Sequence, residues 1–225
     1  MSVKKPKTAG MQEKHHYSQP KQPIPFWAEL SRKGVHLSSL LISVVAGFLG
    51  AQWALRILIP FFLFALFMDV ARVYSPAIAQ WVQRVFGFMM RDFEVKPHHI
   101  VFNGATWVLF SAVLTFSIFP KSIAIASFSI LILGDAFAAL IGRRFGRIKI
   151  GQTGKSLEGS LAFVVASMTV YPFVADLGFW NVFIAASAGA FIEVLPIALD
   201  DNIRIPMVAG IVLSLLTGFM PSFHF

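Results

Sequence analysis

Seven long windows nearly free of charge constrain this chain more than any motif it carries. Leu37–Leu55 is the first, Ile57–Met68 runs on towards Val73, and Ile100–Pro120 follows. Ser122–Ile141 is broken only by Asp135, Gly159–Ala175 comes next, Leu177–Leu199 is broken only by Glu193, and Ile205–Gly218 completes the set. A helix that crosses a bilayer needs about 20 mainly apolar residues. The composition agrees: 13% of residues are charged, where a soluble domain carries about 25%. Hydrophobic residues make up 56%, and mean hydropathy is +0.71. Disorder, a collagen-like fibre and a disulfide-stapled scaffold are excluded, the last because the chain has no cysteine. The net charge of +8 would suit nucleic acid, but not in a chain this apolar. The expected fold is all-α: a polytopic membrane helix bundle of about seven transmembrane helices plus a short interfacial amphipathic helix.

Residues 1–25 differ in kind. Lys4, Lys5, Lys7, Lys14 and Lys21 alternate with Pro6, Pro20, Pro23 and Pro25, with no apolar core. They read as a disordered basic tail at an anionic membrane surface, followed by a single transmembrane catalytic domain over 26–225. Lys and Arg set orientation. With a cytoplasmic N-terminus, seventeen fall inside and only Arg56 and Lys121 outside. The C-terminus is then expected on the opposite side. Between the second and third windows, Ile78, Trp81, Val82, Val85 and Met89 recur at helical period, with Gln80, Gln83, Arg84 and Arg91 opposite. Ser75 as N-cap and Pro76 at the first position make this the amphipathic helix, lying in the cytoplasmic interface.

Ionisable groups inside a bilayer are costly and each needs a reason. In this orientation, Arg32, Lys33, His36, Asp69, Arg72, Asn103, Asp135, Lys155, Glu158, Glu193, Asp200 and Asp201 all fall towards the cytoplasmic end. The stretch from Leu133 to Ser160 is richest, with six glycines, five basic side chains and the intramembrane Asp135. Glycine lets backbone amides approach an anion, Arg and Lys neutralise phosphates, and the carboxylates Asp135 and Glu158 can offer oxygens to Mg²⁺. That combination suits a nucleoside triphosphate. Gly154-Lys155-Ser156 imitates the end of a P-loop, but Lys149 stands where that loop needs glycine. Ser156 with Glu158 also fits a plain helix cap, and Arg143, Arg144 and Arg147 fit topogenic charges. Asp135 fits a structural role only with a buried cation beside it. His98 and His99 are adjacent and lack metal-ligand spacing.

Several blocks together resemble the dolichol kinase, phytol kinase and CTP-dependent diacylglycerol kinase family. They are Glu29-Leu-Ser-Arg-Lys-Gly-Val-His36, Asn103-Gly-Ala-Thr106, Leu133-Gly-Asp-Ala-Phe-Ala-Ala-Leu-Ile-Gly142, Lys155-Ser-Leu-Glu-Gly-Ser160, and Glu193-Val-Leu-Pro with Asp200-Asp-Asn-Ile-Arg-Ile-Pro206. The resemblance implies a membrane enzyme that moves the γ-phosphate of CTP to the hydroxyl of a lipid alcohol (polyprenol, dolichol, phytol-like alcohol or diacylglycerol), with Mg²⁺ or another divalent ion. It implies Asp135 as metal ligand or base, with Glu193, Asp200 and Asp201 as further metal candidates. Lys155 and Arg143 would contact phosphates beside Arg144, Gly154, Ser156 and Gly159. Glu158 joins Asp135 and Lys155 in the catalytic set and helps Ser156 arrange the loop. Arg32, Lys33, His36 and Asn103 would line the acceptor side. The alternatives are a phosphatidate cytidylyltransferase-like enzyme, disfavoured by a missing signature, and a proton-coupled or lipid transporter, disfavoured by the absence of a repeat.

Overall fold

A computed structural model describes residues 26–88, 90, 101–151 and 154–219. The basic tail, Met89, Arg91, and the His98-His99 pair lie outside the described residues. Nine α-helices occur among those described. They are α1 (Phe26–Ser38), α2 (Leu40–Leu49), α3 (Ala51–Tyr74), α4 (Pro76–Phe86), α5 (Gly104–Ile118), α6 (Lys121–Phe145), α7 (Leu157–Met168), α8 (Phe179–Val194) and α9 (Asp201–Thr217). Among the described residues there is no strand; the one β-bridge pairs Lys149 with Ser156.

Three rods are long and apolar enough to cross a membrane: Phe26–Leu49, α3 and α6. The other apolar helices, Gly104–Ile118, Leu157–Phe173 and Phe179–Val194, are shorter. At 1.5 Å per residue the shorter ones reach about 22–26 Å, against a hydrocarbon core of about 30 Å.

The first rod departs from the sequence expectation. The charge-free window Leu37–Leu55 runs across a helix break at Gly50, whose φ of 90° few other residues adopt. The rod instead begins at Phe26 and takes in Glu29, Arg32, Lys33 and His36. A charge-free window cannot find such a start, because these charges are matched inside the protein. α1 is polar on the inside and apolar on the outside: Glu29 and Lys33 are buried, while Trp27, Leu30 and Val35 are exposed. The rod is interrupted at Ser39, just after Ser38 Oγ donates to the Val35 carbonyl at 2.6 Å.

α6 is the central element. Its apolar window is 67% buried against 22% for α3, and it packs on α1, α2, α5, α7, α8 and α9. The exposed face of α3 carries Phe61, Phe64 and Phe67, a surface suited to lipid. Small residues let α6 and α7 meet closely. A Cβ on Gly159 would stand 2.9 Å from the Ala138 carbonyl oxygen and 3.3 Å from Gly142 Cα. In α4, Ser75 caps the helix by accepting from Ile78 N at 3.5 Å. Val82 is buried, while Trp81, Val85 and Phe86 are exposed.

Candidate active site

Ion pairs bring the start of α1 to the end of α6, and the start of α7 to the end of α8 and the start of α9. The polar blocks form three groups.

The first joins α1 to α6. Lys33 Nζ donates to Asp135 Oδ2, and His36 Nε2 stands 3.4 Å from the same oxygen. One turn further out, Glu29 accepts from Arg32 and lies 3.5 Å from Arg143. Because Lys33 and His36 are three residues apart on α1, both face α6.

The second joins the loop before α7 to α8 and α9. Lys155 Nζ donates to Glu193 and lies 3.5 Å from Asp201 Oδ2. Burial works against the Lys155 charge, but Glu193 and Asp201, with a smaller contribution from Asp135, outweigh it and raise the ammonium's pKa above its ordinary value. The two groups are therefore within electrostatic reach of one another. Arg204, buried at the start of α9, pairs with Asp201 and donates to the carbonyls of Ile192 and Leu195 at 3.0 Å. It ties the end of α8 to α9 and so fixes the spacing of the carboxylates around Lys155.

The loop itself is a small clasp. Ile150 N donates to the Lys155 carbonyl and Leu157 N to the Ile148 carbonyl, each at 2.9 Å. Gly151 and Gly154 turn the chain at φ 56° and 75°. Ser156 caps α7 by accepting from Gly159 N at 3.2 Å. Glu158 accepts from Arg147 N at 2.9 Å and Ile148 N at 3.2 Å. Backbone N–H bonds, its own first and then those of Arg147 and Ile148, hold its carboxyl below the usual carboxylate pKa. The Glu158 oxygens thus organise the loop.

The third group stands on α3 and α5. Asp69 accepts from Asn103 N at 2.8 Å, Asn103 Nδ2 at 2.9 Å and Thr106 Oγ1 at 2.7 Å, and pairs with Arg72 at 3.2 Å. Asn103 Oδ1 in turn caps α5 through Thr106 N at 2.9 Å. The Asn103 amide is thus engaged with Asp69 and Thr106. Asp200 is likewise occupied, capping α9 through Asn202 N at 2.9 Å. Arg144 is exposed.

Sequence reasoning singled out Asp135, Lys155, Glu193 and Asp201, and the structure brings them towards one another. It did not single out Arg204, although that residue lies in the Asp200–Pro206 block and stands i, i+3 from Asp201. Among the described residues, no three His, Asp or Glu side chains stand close enough to hold a metal by themselves.

No family profile matches the chain, and no solved structure does. Curated proteins do. CTP-dependent diacylglycerol kinase 1 of Schizosaccharomyces pombe is 30% identical over 209 residues, which is 84% of this chain and 93% of the yeast protein. The chain belongs to the CTP-dependent diacylglycerol kinase and phytol kinase family. An uncharacterized protein of Rickettsia prowazekii is 30% identical over 80% of this chain and 90% of its own length. A probable phytol kinase of Oryza sativa is 27% identical over 56% of this chain and 46% of its own length. Within this lipid kinase family, the polar end of the bundle is the place where phosphoryl-transfer chemistry can be sought.

Proposed function

We infer that the protein is a CTP-dependent lipid kinase that transfers the γ-phosphate of CTP to the hydroxyl of a membrane alcohol such as a diacylglycerol, phytol-like alcohol or polyprenol. The observation that carries this reading is the 30% identity to a CTP-dependent diacylglycerol kinase over 93% of that protein's length. The charged clusters at one end of an apolar bundle support it. The acceptor hydroxyl donates its proton to Asp135 as its oxygen forms a bond to the γ-phosphorus. The bond from γ-phosphorus to the bridging oxygen breaks, and CDP leaves with the electron pair. Positioning and charge neutralisation supply most of the rate in such a transfer. Lys33 orients Asp135 through its hydrogen bond, and Lys155 and Arg143 contact the phosphates.

The charge balance bears on a divalent ion. Lys155 and Arg204 are matched by Glu193 and Asp201, and Lys33 by Asp135, so these three cations add no net positive charge for a triphosphate. Glu193 and Asp201 converge on one ammonium, a donor pair that also fits Mg²⁺, which takes one or two carboxylates and completes its shell from water and phosphates. Bound there, Mg²⁺ would neutralise charge on the nucleotide. Asp200, with its carboxylate capping α9, takes no part in this reading.

In our reading the short helices complete a seven-span bundle over 26–225, with the N-terminus and the active site cytoplasmic and the C-terminus opposite. The exposed Trp81 and Phe86 of α4 suit an interfacial helix on an anionic surface. To test the reaction, CTP labelled at either the α- or the γ-phosphate is supplied with Mg²⁺ and diacylglycerol, phytol or polyprenol. Label reaching lipid from the γ-position alone, with release of CDP, is the expected result. Label from the α-position with pyrophosphate, once phosphatidate is added, would make the protein a cytidylyltransferase instead.

A further inference from the structure

Among the described residues, the ion-paired groups balance with one exception. Lys33 meets Asp135, Lys155 and Arg204 meet Glu193 and Asp201, and Arg72 meets Asp69. Glu29 faces two cations, Arg32 on its own helix and Arg143 on α6. One positive charge is left over there, shared by two guanidiniums. The Glu29 side chain is buried at 7% exposure, whereas those of Arg32 and Arg143 are 26% and 32% exposed. Glu29 Oε1 accepts from Arg32 Nη2, and Oε2 stands 3.5 Å from Arg143 Nη1. Glu29 takes only Nη2 of the Arg32 fork, and Nε has no partner, although a guanidinium carries five N–H donors.

We propose that Arg32 and Arg143, aimed by the Glu29 carboxylate between them, grip the diphosphate part of the nucleotide, the part that leaves as CDP. The inference rests on the lipid kinase reading. It moves Arg32 from the acceptor side, where the resemblance would put it, to the nucleotide side, and it gives Glu29 a positioning role. Guanidinium forks match phosphate oxygens in two-point contacts, provided that their planes are held. A buried carboxylate that touches both forks holds them. A neutral alcohol gains nothing from the surplus charge, whereas a phosphate anion does. Distance along the helices agrees. Arg143 lies two turns of α6, about 12 Å, beyond Asp135, and Glu29 one turn of α1, about 6 Å, from Lys33. With the γ-phosphate at Asp135, the remaining phosphates extend towards the arginines.

The test uses the full chain in phosphatidylcholine nanodiscs with Mg²⁺, and CDP as the binding probe. Each variant is checked for thermal unfolding, CDP Kd, CTP KM and dioctanoylglycerol KM. Arg32→Ala should raise CDP Kd and CTP KM about tenfold, the scale of one lost charged hydrogen bond, with the dioctanoylglycerol KM within about twofold. Arg32→Lys keeps the charge beside Glu29, and so the fold, but replaces the fork by a point charge; CDP Kd should rise about threefold. Glu29→Gln should also weaken CDP about threefold, although the cluster gains a positive charge. Tighter CDP binding in Glu29→Gln would reduce the arginines to loose surface charge and overturn the subsite. An unchanged CDP Kd in folded Arg32→Ala, or in Arg32→Lys should the first not fold, overturns it, as does a rise confined to the dioctanoylglycerol KM. A lipid headgroup presents the same phosphate chemistry, so the binding is repeated with phosphatidylglycerol in the nanodiscs. Retention of phosphatidylglycerol that depends on Arg32, with CDP Kd indifferent to it, gives the arginines to a lipid and overturns the nucleotide subsite. Wild-type protein that binds CDP with this Arg32 dependence but transfers no phosphate overturns the kinase reading alone. Wild-type protein that does not bind CDP overturns the subsite.

Discussion

At the scale of single residues the site is a set of matched buried charges, and each match makes its partner costly to remove. Asp135→Asn leaves the buried Lys33 ammonium without a counter-charge and so costs stability, although the amide oxygen can still accept from it. In the protein that a thermal melt shows to be folded, transfer should fall by about 10²–10⁴, the usual contribution of a positioned base. Near-normal turnover would remove Asp135 from the chemistry. Lys155→Ala strands Glu193, whose side chain is 3% exposed. Removing one member of a buried pair costs about 3–5 kcal/mol, and the partial exposure of Lys155 brings this towards the lower figure. Because the two groups act as a pair, Lys155→Ala/Glu193→Gln should be more stable than Lys155→Ala alone, as thermal melts would reveal. Sequence alone showed that Asp135 needed a cation; the sequence could not say which, because Lys33 lies about a hundred positions away and only the packing of α1 on α6 joins them. Glu158 was legible as a helix-start acid, but its backbone bonds to Arg147 and Ile148 depend on the loop folding back.

Elements set where those residues stand. α6 and α7 approach through Gly142 and Gly159, and this contact lays the Lys155 loop over the end of α6. Gly159→Ala, whose Cβ would sit 2.9 Å from a backbone carbonyl oxygen, should cost about 1–3 kcal/mol and weaken CTP use with it. Melting temperature and CTP KM together would show this, and an unaltered KM would separate the helix contact from the loop. The loop also has a pH signature. Its Glu158 carboxyl is held below the ordinary 4.5, so the unfolded state binds the proton more readily. The stabilisation is fully present above pH 4.5 and is lost as pH falls through the lower folded value. Protection of the Arg147 and Ile148 amides, taken as exchange relative to the intrinsic rate at each pH, should fall in that acid window in the wild type, and already at neutral pH in Glu158→Gln. Helix positions were legible from apolar windows, except at α1 and at the Gly50 break, where one window runs across two helices. At α1 the windows failed because its charges face inward, a pattern that a search for uncharged stretches rejects.

The whole molecule has its charged chemistry at one end and apolar side chains around it. In the proposed orientation that end is cytoplasmic. The chain has no cysteine, so single replacements report sidedness cleanly: Ser75→Cys should react with a membrane-impermeant maleimide from the cytoplasmic side and Asp176→Cys only from the other. Reaction of both from one side would overturn the alternating topology. The most direct test of the central claim is phosphate transfer from γ-labelled CTP to diacylglycerol and phytol by purified wild-type protein, Asp135→Asn and Lys155→Ala side by side. The account predicts labelled lipid and matching CDP from the wild type, almost none from Asp135→Asn, and a raised CTP requirement in Lys155→Ala. Full transfer by Asp135→Asn, or no transfer by wild-type protein to any alcohol, would contradict it.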